Sequence, residues 1–250
     1  MSDGSVSNKT VWSAKAGFGL ALLCILLLAA IVIATRSGDL GIRDAFGYIS
    51  WIVYGGGAVA LIALIGLFQT IRQNQYMGMV MAGTALVAAV TIVWVPYSSR
   101  AELRASPRLS DVTTDMKNPP KFVKIETIRK AKKARNTVKY TVAKAALQQK
   151  HYSDIKPVFL KLPPDQAFKR VTEAVGKLRW KVVEADAAQG RLEAFESSLI
   201  FGFVDDVVVR VRAAEAGSVV DIRSSSRVGR RDAKVNANRV RSLIRVLASP

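Results

Sequence analysis

Phe203-Val-Asp-Asp-Val-Val-Val-Arg-Val-Arg212 and Val220-Asp-Ile-Arg-Ser-Ser-Ser-Arg-Val-Gly229 decide the fold of the C-terminal half. Side chains alternate across a strand, so each stretch sorts its valines to one face and its charges to the other. With Ala214–Gly217 as the loop, Val211 faces Val220, Val209 faces Ile222 and Val207 faces Ser224 on the core side. Arg210 lies opposite Asp221 on the other side, with Arg212 and Arg223 beside them. That side reads as an exposed charge ladder, each cross-strand pair contributing a fraction of a kcal/mol. Continuing the register places Asp205 across from Ser226 on the core side, while the adjacent Asp206 points the other way. The two aspartates therefore do not form a paired-carboxylate site.

The hairpin feeds a helix expected from about Arg231 to Leu247. At 100° per residue Val240, Leu243, Ile244 and Leu247 form one stripe, and Asp232, Asn236 and Arg239 lie along its edge. Asp205, Ser224, Ser226, Asn236 and Arg239 are thus expected to converge at one end of the sheet, beneath the turn Arg227-Val-Gly229. Two readings remain open. One is a satisfied polar network that docks the helix. The other is a pocket for a carboxylate, phosphate or sugar, with Arg227 and Arg239 as anion donors.

Upstream, Pro163-Pro164-Asp165 opens a helix with Ala167, Val171, Ala174, Val175 and Leu178 on one face. Trp180–Ala185 and Arg191–Glu196 read as a strand pair. The domain is therefore α+β: a helix, four antiparallel strands and a helix, with the helices on one face of the sheet.

The N-terminal half differs in kind. Residues 1–100 hold six Lys/Arg and three acids, whereas residues 101–250 hold 31 basic and 16 acidic groups. Apolar runs at about 17–35, 46–68 and 77–95 each approach the roughly 20 residues that span hydrocarbon, and aromatic residues flank them. The chain divides into an N-terminal tail (1–16), three transmembrane helices within 17–97, a loop and basic linker (98–150) and the α+β domain (151–250). No charge falls inside a span, so transport or proton relay finds no support. Gly55-Gly56-Gly57 suits either a close helix approach or a kinked span.

One cysteine, Cys24, and one histidine, His151, exclude an internal disulfide framework and a cysteine metal site. No metal or cofactor is implied. Lys121–Lys150 carries ten Lys/Arg against Glu126 alone. It reads either as a clamp on anionic lipid or as a solvated helical face. Nucleic acid is disfavoured, since aromatic interleaving is nearly absent, with only Phe122 and Tyr140 among the bases. Lys9, Lys15 and Arg72 flank one side of the spans. Arg36, Arg43, Arg100, Arg104 and Arg108 flank the other, a count that leans toward a cytoplasmic C-terminal domain.

Asp111-Val-Thr-Thr-Asp115 with Asn118-Pro-Pro120, Phe201-Gly-Phe-Val-Asp-Asp-Val-Val-Val-Arg210, and Asp221-Ile-Arg-Ser-Ser-Ser-Arg-Val-Gly229 with Asp232, Asn236 and Arg239 resemble the domain of unknown function 1499 family, over roughly residues 109–248. Members typically carry Ser-Asp and a Gly ahead of the asparagine, where this chain has Arg231-Asp232 and Lys234. The resemblance implies a proteobacterial three-span membrane protein of the inner membrane, with no established activity. By analogy with members whose second loop is more basic, it implies a periplasmic domain. The leading expectation is a non-enzymatic protein whose domain binds an envelope component or partner protein. The alternatives are an enzyme built on Asp205, Ser226 and Arg239, and a cytoplasmic-face domain that associates with anionic lipid or nucleic acid through Lys121–Lys150.

Overall fold

The computed structural model describes residues 11–231 and 233–249. The chain divides into two compact units, Met1–Ala101 and Glu102–Pro250.

The first unit is built on three long helices, α1 (Trp12–Ser37), α2 (Ile42–Arg72) and α3 (Tyr76–Ala105), each long and apolar enough to cross a membrane. Small residues line their contacts: Ala14, Gly17 and Ala21 on α1, Ala63 and Gly66 on α2, Ala82, Ala85 and Ala89 on α3. Apolar attraction is weak among lipid tails, so close backbone packing carries the association. A Cβ on Gly66 would lie 2.8 Å from the Ala14 nitrogen, and one on Gly56 3.0 Å from Ile92 Cγ2. Gly55 and Gly57 face open space, so only the middle glycine of the triplet serves a helix contact. Residues 98–105, expected as loop, continue α3 instead. The Ser98 and Ser99 hydroxyls donate back to the Val95 carbonyl, and the strong helix formers of Ala101–Ala105 carry the helix on past Pro96.

The second unit is an α+β domain. In chain order it contains β1 (Asp111–Thr113), α4 (Lys124–Ala131), α5 (Val142–His151), β2 (Val158–Leu160), α6 (Pro164–Lys177), β3 (Lys181–Asp186), β4 (Arg191–Ser197), β5 (Val204–Ala214), β6 (Gly217–Ser226) and α7 (Val235–Ala248). The antiparallel sheet runs β1-β6-β5-β4-β3, and β2 also pairs with β6. The four expected strands form the body of the sheet. β1 and β2 add two short pieces along the free edge of β6, at residues 223–225 and 218–220. The hairpin register is the expected one: Val211 pairs with Val220, Val209 with Ile222, Val207 with Ser224 and Asp205 with Ser226.

α6 and α7 cover one face, packing Val171, Val175, Val240 and Leu243 against Val207, Val209, Leu192 and Ile222. α7 begins at Val235 rather than Arg231, because Ala233 and Lys234 take left-handed conformations (φ 47° and 68°) that a helix does not admit. The second face is covered as well. Phe122 and Ile125 at the start of α4 pack on Val208 of β5. The expected linker 98–150 thus supplies β1, α4 and α5 of the folded domain, and its charge is only partly available to solvent.

Candidate functional site

β5 and β6 sort their polar residues to two faces, and each face builds its own network. On the α7 side Ser224 Oγ donates to Asn236 Oδ1 (2.6 Å), and Asn236 Nδ2 donates to Ser226 Oγ (2.8 Å) and to the Ser110 carbonyl (3.2 Å). Arg239 Nη2 reaches Asp205 Oδ2 (3.0 Å), its Nε reaches Glu196 Oε2 (2.8 Å), and its Nη1 lies 3.2 Å from Ser224 Oγ. Asp205, Ser224, Ser226, Asn236 and Arg239 are therefore together at one end of the sheet, and all are buried. Buried polar groups need partners, and here each partner is another member of the fold. Glu196 joins the cluster although sequence periodicity gave no reason to include it. Asp232 lies outside the described residues.

Arg227 does not belong to this cluster. It sits on the opposite face and grips Asp206 with both arms of its guanidinium, Nε to Oδ2 at 2.9 Å and Nη2 to Oδ1 at 2.7 Å. The strand alternation that separates Asp206 from Asp205 carries Arg227 away from Arg239. Asp206, with no exposed surface, also receives Arg129 Nε from α4 at 2.6 Å.

The expected surface ladder is partly covered: Asp221 and Arg223 are buried, Arg210 is partly so and Arg212 is exposed. Asp221 is fully buried and its Oδ2 accepts from both Arg210 and Arg212, each with Nη2 at 2.8 Å. Arg210 continues to Asp115 Oδ2 (3.1 Å) and the Asn118 carbonyl (2.9 Å). Arg223, 3 % exposed, forms a two-point pair with Asp111 (Nε–Oδ1 and Nη2–Oδ2, both 2.9 Å) and donates to the carbonyls of Pro120 (3.1 Å) and Val138 (2.6 Å). The rings of Phe122 and Tyr140 lie 5.1 and 5.5 Å from its guanidinium carbon. Lys144 Nζ adds a third cationic contact to Asp111 at 2.8 Å. The ladder is covered to this extent because residues 114–141 fold over it, and Arg212 keeps about half its side chain in solvent.

Two further devices escaped the sequence pattern. The buried Glu193 carboxylate accepts from the backbone N–H groups of Val123 (2.7 Å), Lys124 (3.2 Å) and Ile125 (2.7 Å), capping the positive end of α4. Gln148 on α5 acts as a substitute strand: its amide accepts from Thr113 N (2.9 Å) and donates to Thr113 O (2.5 Å), completing the outer edge of β1. Tyr140 Oη donates to the same amide oxygen at 2.9 Å. Burial and the neighbouring Asp111 carboxylate push the Tyr140 phenol well above its usual ionisation range, against the opposing pull of Arg223. Among the described residues no group of three or more His, Cys, Asp or Glu is placed to share a metal ion.

The fold and these networks define a multi-pass membrane protein that carries an α+β domain knit together by buried arginine–carboxylate pairs. Residues 111–247 match the family described as "Protein of unknown function (DUF1499)". The chain belongs to that family. Among curated proteins none matches the chain.

Proposed function

We propose that this is a non-enzymatic protein of the bacterial inner membrane whose C-terminal domain binds an envelope component or a partner protein on the periplasmic side. One observation carries the reading: the cluster that most resembles an active constellation is closed on itself. Arg239 divides its donors among Asp205, Glu196, Ser224 and Asn236, so among the described residues most of its hydrogen-bonding capacity goes into docking α7. That favours recognition through the outer surface over chemistry at Asp205, Ser226 and Arg239.

Paired fusions of alkaline phosphatase and a fluorescent protein after Pro250 test the side. Phosphatase activity without fluorescence is expected, and fluorescence without phosphatase activity would sink the envelope reading. Photo-crosslinking residues at the exposed edge positions Phe159 and Val182 test the binding. Discrete adducts are expected in intact cells, and a scan of exposed positions that traps none would reject it.

A further inference from the structure

The end of the sheet at which the chain enters the domain carries an apolar tip with basic turns on one side of it. The β4–β5 loop, Ser198-Leu-Ile-Phe-Gly-Phe203, is held tight: Ser198 N donates to the Phe203 carbonyl (2.8 Å) and Phe203 N to Ser198 Oγ (2.9 Å). Gly202 supports the bend with φ 66°. Leu199 at its crest is 88 % exposed and Ile200 56 %, with the Phe201 and Phe203 rings 5.7 Å apart behind them. Two adjacent large aliphatic side chains shown to water on a constrained loop form a contiguous apolar patch, the feature that marks a contact surface.

A line of backbone hydrogen bonds fixes the neighbours of this loop. Arg227 N donates to the Val204 carbonyl, and Asn136 N donates to the Arg227 carbonyl. The turns that contain Lys132, Lys133 and Arg135, and then Arg230 and Lys234, therefore lie on the β6 side of this end of β5, and all five bases are exposed. The acids on these strands are engaged: Asp205 and Asp206 are buried in ion pairs, and Glu196 holds Arg239. Asp232, also in this stretch of sequence, lies outside the described residues. Ser226 N donates to the Ser110 carbonyl, so the segment Ser106–Ser110 that follows α3 joins the sheet at this same end.

We propose that this end of the domain is a bilayer-docking face, in which Leu199 and Ile200 enter the interface of an anionic phospholipid membrane and the exposed bases of the adjoining turns hold its headgroups. An apolar tip beside exposed bases is the combination that interfacial binding requires. The charge, on a chain that itself carries three membrane-crossing helices, selects anionic lipid over a protein groove. The inference narrows the contribution of Lys121–Lys150 to the bases that face outward, since Arg129 and Lys144 are committed to Asp206 and Asp111. It holds whichever side of the membrane carries the domain.

The test uses the full chain in nanodiscs of phosphatidylcholine, with or without phosphatidylglycerol. In a Cys24→Ser background, nitroxide labels are placed at Leu199→Cys, Ile200→Cys and, in the turn at the far end of the sheet, Ala188→Cys. Collision rates with oxygen and with a water-soluble nickel chelate then report depth. In anionic discs the labels at 199 and 200 should become accessible to oxygen and protected from nickel, while the label at 188 stays aqueous. Each base near the surface is worth about a fivefold change in occupancy, so Lys132→Glu with Lys133→Glu should lower the inserted fraction by tenfold or more, at about this scale. Raised salt should do the same to the unmutated chain, which keeps the test valid if that variant folds poorly. Labels at 199 and 200 as aqueous as the one at 188 would overturn the proposal. So would insertion indifferent to lipid charge and salt, or protection from both reagents, which marks a protein contact.

Discussion

Arg223→Lys keeps the charge and removes the fork, and it measures what holds the second face of the sheet. Arg223 makes two parallel bonds to Asp111 and donates to the carbonyls of Pro120 and Val138, at 3 % exposure. A lysine ammonium at this depth reaches one of these acceptors well, and the planar geometry that serves all of them is lost. Two buried carbonyls then lose their donor, at roughly 1–2 kcal/mol each. Loss of stacking on Phe122 and Tyr140 adds about 0.5 kcal/mol. The expected destabilisation is about 3 kcal/mol, which for a domain of about 150 residues lowers Tm by about 6–12 °C. Arg223→Met should be worse, about 3–5 kcal/mol, because Asp111 keeps only the partly exposed Lys144. The reporter is Trp180, 7 % exposed in the domain core. Of the four tryptophans, Trp12, Trp51 and Trp94 lie in the membrane helices, and replacing them with phenylalanine leaves Trp180 to follow urea unfolding of the full chain in micelles. A lysine variant within about 0.5 kcal/mol of the parent would refute the reasoning, since charge alone would then suffice.

Asp206→Ala strands Arg129 and Arg227 without their shared carboxylate and should destabilise the domain by about 3–5 kcal/mol in the same unfolding assay. Asp154→Ala removes the pair with Arg241, but Asp154 is 58 % exposed, so the change should stay below about 1 kcal/mol. Tyr140 has a folded pKa above its unfolded value, so its contribution is complete below about pH 10 and is lost as the pH rises beyond it. Unfolding series above pH 10 should show that decline in the parent and a flatter one in Tyr140→Phe. Lys234 occupies a left-handed position at φ 68°, where glycine carries no Cβ penalty, so Lys234→Gly should raise stability by about 0.5–1 kcal/mol. An unchanged or lower midpoint would show that the lysine side chain holds the turn.

The hairpin was legible because β5 and β6 are long, and period-two alternation over ten residues admits one register. That register also placed Asp205, Ser224 and Ser226 beside Asn236 and Arg239, since a helix stripe and a strand face are both fixed by local geometry. β1 and β2 were not legible: three residues show no alternation, and Asp111-Val-Thr carries the chemistry of a turn. The cover over the second face was hidden for a different reason. Its contacts join residues far apart in sequence, Arg129 with Asp206 and Asp111 with Arg223, and no local pattern encodes them.

One signal on that face was nevertheless present. Val208 interrupts the charges of Asp206, Arg210 and Arg212 on a side read as solvent, and it is fully buried beneath Phe122 and Ile125. The choice of base is a second signal. Lys121–Lys150 contains eight lysines and two arginines, and one of the arginines, Arg129, is the base buried to 3 % exposure. On β5 and β6 every base is arginine. A guanidinium is less strongly hydrated than an ammonium and meets a carboxylate at two points, so it is the cation that tolerates an interior. By that criterion Arg129 and Arg223 read as cations that hold the domain together and Lys132 and Lys133 as bases left in water to meet a charged surface, while Arg135, exposed like them, and Lys144, paired with Asp111, depart from it.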